Sequence, residues 1–372
     1  MSIFSDCLAK VSHARAEIGC PKRVLVALSG GADSVALFCV LKELAERERF
    51  SIAAVHVNHG LRETAARDEA FCRELCQRFQ IPFFSKAIRL TGSSEDEARR
   101  MRYIALADVY KQWNADVLAL AHPRADQAET VLLHLLRGSG SRGLCGMKLL
   151  TEYNAGSMRL RLFRPLLDEK KENLVHIAQT IADAYCEDES NQSNLYTRNF
   201  LRLHILPTIN MRIPKTENAI CRTAVILQAE DEYLDSVAHG FLASNACLLP
   251  PLHFLEIQPF LQQHLAMRRR IIQHFLPFAE DFETIDHAAS MQPGSAVNLQ
   301  KGWRLSASST RISLLPSQPD LPQIPQLAVL PYYGCHGDGI HFQAMPARLF
   351  KECVMRYREP GDSIHPFGMQ GT

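Results

Sequence analysis

Val24-Leu25-Val26-Ala27-Leu28-Ser29-Gly30-Gly31-Ala32-Asp33-Ser34-Val35-Ala36-Leu37 carries an apolar run into a Ser-Gly-Gly-x-Asp-Ser string and out into a second apolar segment. The run before the glycines suits a buried parallel strand, and the segment after them has helical spacing. Two adjacent glycines let the backbone turn sharply and lie close to a ligand. Backbone amides at the start of the following helix point into the bend, which favours a bound phosphate. Ser29 and Ser34 can add hydroxyl donors. Asp33 is out of place beside a phosphate unless a cation stands between them. The plainer reading is a tight turn whose Asp or Ser caps the helix. The complete six-residue string favours the phosphate. No Gly-Lys-Ser/Thr follows, so this is not a Walker A loop, and no lysine within it reaches the phosphates.

The chain around this string has 372 residues, enough for two or three domains. Its composition, 47% apolar and 22% charged, is that of a globular protein. A net charge of +1 argues against a globally basic nucleic-acid binder while leaving room for local basic surfaces. The eleven cysteines are scattered, odd in number and form no Cys-x-x-Cys pair. Reduced thiols in a cytoplasmic protein are expected, and a zinc or iron–sulfur site is not. No apolar stretch approaches the roughly 18 to 20 residues needed to cross a bilayer, so no membrane role is expected.

Strands and helices alternate along the first half. A helix over 1–20 precedes the glycine string, and Val35–Leu44 forms the helix after it. Strands are expected over 51–58, 82–90 and 116–121. Between them lie a helix ending near Arg78 and another over 94–113, opened by a Ser94/Glu97 capping box. A further helix spans 126–137. This alternation predicts an α/β fold with a doubly wound parallel sheet, whose ligands sit beyond the carboxyl ends of the strands. Ser29, His59 and His122 each follow a predicted strand and can converge on one crevice. Arg99 and Arg102 share a helix face, where they are either solvated or aimed at phosphate. Asp126 suits a helix N-cap, but beside His122 it can also orient an amine or take its proton.

Two stretches are nearly free of acids. Between Val131 and Leu167 only Glu152 offsets Arg137, Arg142, Lys148, Arg159, Arg161 and Arg164, and Ser190–Thr216 carries Arg198, Arg202, Arg212 and Lys215. Residues 137–144 have the composition of a flexible loop. Such stretches suggest a face for a polyanion, with solvated loop arginines as the plainer alternative. Residues 215–277 read as helical with a basic knot at Arg268-Arg269-Arg270, and short strands are expected over 296–299 and 303–315. Prolines from Pro316 to Pro331 mark an extended linker. The expected domains are therefore 1–214, a mostly helical 215–315, a linker over 316–331 and the start of a small β-rich domain over 332–372.

Several of these stretches, taken together and in order, carry a resemblance. Ser29–Ser34 resembles the pyrophosphate loop of the N-type ATP pyrophosphatases, which share an adenine-nucleotide α-hydrolase-like fold. With His56–Arg62, Arg99, Arg102-Tyr103, His122, Asp126-Gln127-Ala128-Glu129-Thr130, Leu135–Gly140, Arg164–Leu167, Glu187-Asp188, Ser190-Asn191, Arg198-Asn199 and Arg202, the chain resembles the tRNA(Ile)-lysidine synthases. Pro123 and Ala125 stand where that family has a second histidine and a first aspartate, and Glu189 replaces a proline. Its 358–368 stretch is similar to the opening of the family's C-terminal domain.

The resemblance implies a ligase forming a C–N bond. ATP adenylates the C2 carbonyl oxygen of the cytidine at the first anticodon position of a tRNA(Ile) with a CAU anticodon, and the ε-amine of free L-lysine then displaces AMP to give lysidine. It implies ATP contacts from Ser29, Gly30, Gly31, Ala32, Asp33, Ser34 and His59, with Mg²⁺ held through Asp33. Reactive roles fall on Asp33, Arg102, His122, Asp126, Arg198 and Arg202, and tRNA contacts on Arg137, Arg142, Arg268 and Arg269. A homodimer is compatible with it. The competing readings are a tRNA 2-thiolation enzyme of the same group and a tRNA-binding homologue with impaired catalysis.

Overall fold

The computed structural model describes residues 2–58, 65–88, 95–186, 197–248 and 253–316. The chain divides into two compact units, Met1–Asp235 and Ser236–Thr372. The sequence-expected residue His59, the linker beyond Pro316 and the segment 332–372 lie outside the described residues.

The first unit begins with α1 (Ile3–Glu17), capped by the Ser2 hydroxyl, and continues through β1 (Arg23–Ala27) and α2 (Ala32–Glu48). There follow β2 (Ser51–Asn58), α3 (Ala65–Arg78), β3 (Phe83–Ala87), α4 (Glu95–Gln112), β4 (Val117–Ala119) and α5 (Arg124–Leu136). The short α6 (Ser141–Leu144) leads into a hairpin of β5 (Leu150–Ala155) and β6 (Met158–Phe163), and then α7 (Lys171–Ile177). Next, α8 (Thr197–Phe200) passes through a π-helical turn, Leu201–Ile205, into α9 (Leu206–Arg212).

The six strands order as β3-β2-β1-β4-β6-β5. All pairs are parallel except the edge pair β5–β6. β1 alternates its side chains between two cores. Val24 and Val26 pack among helices α1, α2, α3 and α7, while Leu25 faces Leu106, Val109 and the β6 side chains Leu160 and Leu162. All of these are essentially inaccessible to water, which is why β1 reads as an unbroken apolar run. The sheet is thus wound on both faces, as expected.

The sheet carries one strand pair more than expected. Residues 150–163, read above only as part of an acid-poor basic stretch, form the β5–β6 hairpin. Its arginines are not a uniform polyanion face. Arg164 is buried and donates to the Lys148 carbonyl and the Thr151 hydroxyl, Arg159 pairs with Glu152, and Lys148 Nζ lies 3.3 Å from Glu232. Residues 141–144, expected as loop, make the single turn of α6.

The second unit also holds more strand than expected. The long helix α10 (Thr216–Asn245) crosses the boundary between the units. The unit then packs α11 (Ile257–Leu261), α12 (Leu265–Phe275) and α13 (Phe282–Ala289) with a five-stranded antiparallel sheet. That sheet joins β7 (Ala246–Cys247), β8 (Phe254–Glu256), β9 (Ala296–Asn298), β10 (Trp303–Ala307) and β11 (Arg311–Pro316) in the order β7-β8-β11-β10-β9. Its core gathers Phe260, Ile271, Ile272, Phe275, Ile285, Leu305 and Ile312.

Candidate active site

The strand order places the site. The chain runs outward from β1 to β2 and β3, then returns to the other side of β1 as β4. Reversal of direction opens a crevice beyond the carboxyl ends of β1 and β4. The two turns emerging there are Leu28–Gly31 and Leu120–Pro123, and they carry the glycine string and His122.

The glycine turn is held from within. Ser34 Oγ accepts hydrogen bonds from the Ser29 and Gly30 amides, both at 3.2 Å, and donates to the Gly31 carbonyl at 2.9 Å. Ser29 Oγ donates to Ser34 Oγ at 3.0 Å. The Ser34 hydroxyl, expected to face a ligand, is instead the buried hub of the turn. Gly30 has φ +94°, a left-handed conformation that an L side chain rarely adopts. Space is tight there as well, since an added Cβ would lie 3.3 Å from Cys186 Sγ and 3.4 Å from Cys72 Sγ. The Cys186 amide also donates to the Gly30 carbonyl at 2.9 Å.

Asp33 does not cap α2. The N-cap is Gly31, with no side-chain bond, and Asp33 stands in the first turn. Its Oδ1 is buried without a hydrogen-bond partner, and its Oδ2 lies 3.9 Å from Lys171 Nζ. Burial pushes its carboxyl up to about 6 against the pull of Lys171; the negative charge of Asp126 adds to the rise, while Arg202 opposes it. An orphaned, poorly solvated carboxylate oxygen is what a cation would satisfy. Among the described residues no three His, Cys, Asp or Glu side chains gather into a metal-binding group. An ion at Asp33 would therefore draw most of its ligands from phosphate oxygens and water, as Mg²⁺ commonly does.

At the neighbouring turn, Pro123 is the N-cap of α5 and Ala125 lies in its first turn, so the two departures from the family pattern both fall at the helix start. His122 and Asp126 remain on that turn. His122 Nδ1 is buried without a partner. Burial, then the positive charges of Arg164, Arg198, Arg99 and Arg102, push the imidazole down to about 3. At neutral pH it is uncharged, and a bound anion that offsets those arginines would raise its proton affinity.

Behind this turn lies a charge lattice. Arg202 donates Nε–H to Glu129 Oε1 at 2.6 Å and Nη2–H to Asp126 Oδ1 at 2.7 Å. Arg198 donates Nε–H to Glu129 Oε2 at 2.9 Å and sits 3.6 Å from Asp126. Arg198 and Arg202 are one turn apart on the α8–π segment, so both reach the same carboxylate. Glu129 is 1% exposed and is the centre of the lattice. Glu129 had no role among the sequence-based expectations. The spacing of Asp126 and Glu129, three apart on one helix face, is the signal that could have found it.

Of the sequence-predicted residues, Ser29–Ser34, Arg102, His122, Asp126, Arg198 and Arg202 come together in the first unit. Arg137 and Arg142 are exposed at the end of α5 and on α6. Arg269, in the second unit, is engaged by Asp286 at 2.7 Å and lies over the Phe282 ring. Arg268 is partly buried beside it.

Residues 7–209 match the PP-loop domain family, the class that this glycine turn and sheet define. The chain is 31% identical to a tRNA(Ile)-lysidine synthase of Symbiobacterium thermophilum, over 97% of this chain and 84% of that protein. It is 38% identical to one of Haemophilus ducreyi over 65% of this chain and 56% of the relative, and 35% identical to one of Escherichia coli O157:H7 over 68% and 58%. The chain belongs to the tRNA(Ile)-lysidine synthase family. It spans less than two thirds of the Haemophilus and Escherichia relatives. Among solved structures, a U34-tRNA thiolase from Methanococcus maripaludis superposes with a TM-score of 0.51 at 18% identity, over 61% of this chain and 79% of that one, a likeness of fold alone.

Proposed function

We propose that the chain ligates L-lysine to C2 of the cytidine at the first anticodon position of a tRNA(Ile) with a CAU anticodon, using ATP and releasing AMP and pyrophosphate. The observation that carries this reading is the lattice of Asp126, Glu129, Arg198 and Arg202 beside a phosphate turn. Asp33, in that turn, feels the charges of both Asp126 and Arg202. The partly exposed guanidiniums of Arg198 and Arg202 and the carboxylate of Asp126 are complementary to the carboxylate and the ammonium of a free amino acid.

In the first step the cytidine O2 attacks the α-phosphorus and the bond to the β-phosphate breaks. The Gly30–Gly31 backbone lets ATP lie close to the turn, and Arg102 and Arg99 supply positive charge around His122. Asp33 is the residue that would hold Mg²⁺, which when bound neutralises charge on the departing pyrophosphate. In the second step the lysine ε-amine attacks C2, AMP leaves, and the amine gives up a proton. Asp126 orients that amine, with Arg202 and Glu129 fixing the carboxylate's position. His122, raised from its low value by the phosphates' negative charge, accepts the proton. Arg137 and Arg142 contact tRNA phosphates.

Incubation with ATP, labelled lysine and tRNA(Ile) bearing CAU tests the reading. Lysine incorporation with one AMP released per lysine is expected. ATP-independent tRNA binding without incorporation would sink it in favour of an impaired homologue, and sulfur transfer to the tRNA would favour a thiolase.

A further inference from the structure

The glycine turn contains no lysine, yet a developing pyrophosphate must be balanced by positive charge. Its own donors are partly spent, because the Ser29 and Gly30 amides are committed to Ser34 Oγ. The chain returns a lysine to the turn from far along the sequence. Lys171, the first residue of α7, brings Nζ to 3.9 Å from Asp33 Oδ2. The helix beneath it is fixed: Leu174 and Ile177 are buried in the same core as α2. The side chain itself is not fixed. It is 48% exposed, and 3.9 Å is an ion pair too long to be a hydrogen bond. An ammonium held by charge alone, on a flexible solvated stem, can leave Asp33 when a stronger anion arrives.

We propose that Lys171 is the phosphate-directed lysine of this enzyme, paired with Asp33 in the free protein and with non-bridging oxygens of the departing pyrophosphate once ATP is bound. The inference rests on the reading of the turn as an ATP-cleaving site. It assigns Lys171 to the pyrophosphate half of ATP and not to the AMP half, because its only described ion-pair partner is the carboxylate next to which the cation-balanced phosphates would sit.

The full-length protein and its K171A and K171R variants are titrated calorimetrically with inorganic pyrophosphate plus magnesium, and separately with AMP. K171A should weaken pyrophosphate binding at least tenfold while AMP binding stays within twofold, and K171R should restore most of the loss. Pyrophosphate affinity within twofold of the parent in K171A overturns the proposal. So does an equal loss of AMP and pyrophosphate, or a loss that arginine fails to rescue, since these mark a merely structural lysine. Lys171-dependent pyrophosphate binding in a parent protein that makes no lysidine would leave this inference standing and remove the ligase reading alone.

Discussion

Asp33 and Glu129 are two carboxylates with opposite circumstances, and their variants separate binding from architecture. Asp33 is partly buried, with Oδ1 left without a partner, so its carboxyl rises to about 6 in the native state from 3.8 when unfolded. Between those values the native state holds the extra proton, so its contribution to stability is present below about 3.8 and is lost as pH rises through 6. At pH 7 the charged form is a liability. Asp33→Asn should therefore raise the melting temperature of the ligand-free protein at pH 7 by a few degrees, at about 2–4 °C per kcal/mol for a unit of this size. The same variant should abolish ATP cleavage. A melting scan at pH 7 and at pH 4 checks the sign, because the advantage should vanish at pH 4. Glu129 is buried and doubly paired, so Glu129→Gln leaves Arg198 and Arg202 short of a counter-charge. Loss of one partner of such a pair costs about 3–5 kcal/mol. Lysine incorporation should fall by orders of magnitude, with a lower melting temperature, while near-native circular dichroism is kept at 25 °C. At this scale the sequence showed Asp33, His122 and Asp126 through local spacing. It did not show Lys171 against Asp33 or Arg202 against Asp126, because those pairings are made across the fold, the second between residues 76 positions apart.

Among the elements, β1, α2 and β2 were legible because each has one dominant period and clear punctuation. β2 is observed over the same span, Ser51–Asn58, that the sequence predicted. The β5–β6 hairpin was missed for a physical reason. Its arginines alternate with Leu160 and Leu162, whose side chains reach the core while Arg159 stays outside, and Gly156, at φ +62°, makes the turn. The net basic charge of the stretch masks this period-two alternation. The glycine turn tolerates little change at Gly30. Gly30→Ala meets both a disfavoured φ, costing about 1–2 kcal/mol, and two sulfur atoms at close range. Its ATP affinity, read by calorimetry, should fall at least tenfold, and the protein should remain folded. Unchanged affinity would mean that the turn does not approach the nucleotide.

At the scale of the whole molecule, a near-neutral chain must hold a polyanion with local charge. Pairing removes several of the cations that the sequence made available: Arg159, Lys148 and Arg269 have acidic partners, and Arg164 is buried. Arg137 and Arg142, exposed on the first unit, remain the better candidates for RNA phosphates. Replacing both by alanine should weaken tRNA binding. It should also lower the slope of log affinity against log salt by about 0.7–0.9 per lost phosphate contact, without changing the KM for ATP. An unaltered slope would move the RNA surface elsewhere. In the second unit β9, β10 and β11 fall where short strands were expected, whereas β7 and β8, two and three residues long, are too short to show a period and lay hidden in a stretch read as helical.

Ser34 draws the last consequence. One hydroxyl ties two amides and a carbonyl, so the turn is already wound before any nucleotide arrives. The entropy of ordering that backbone is settled during folding and is not charged to the encounter with ATP. Capture should therefore be a single kinetic event. In stopped flow, the observed rate should rise linearly with ATP concentration, with no plateau from a slow loop rearrangement, and Ser34→Ala should introduce one.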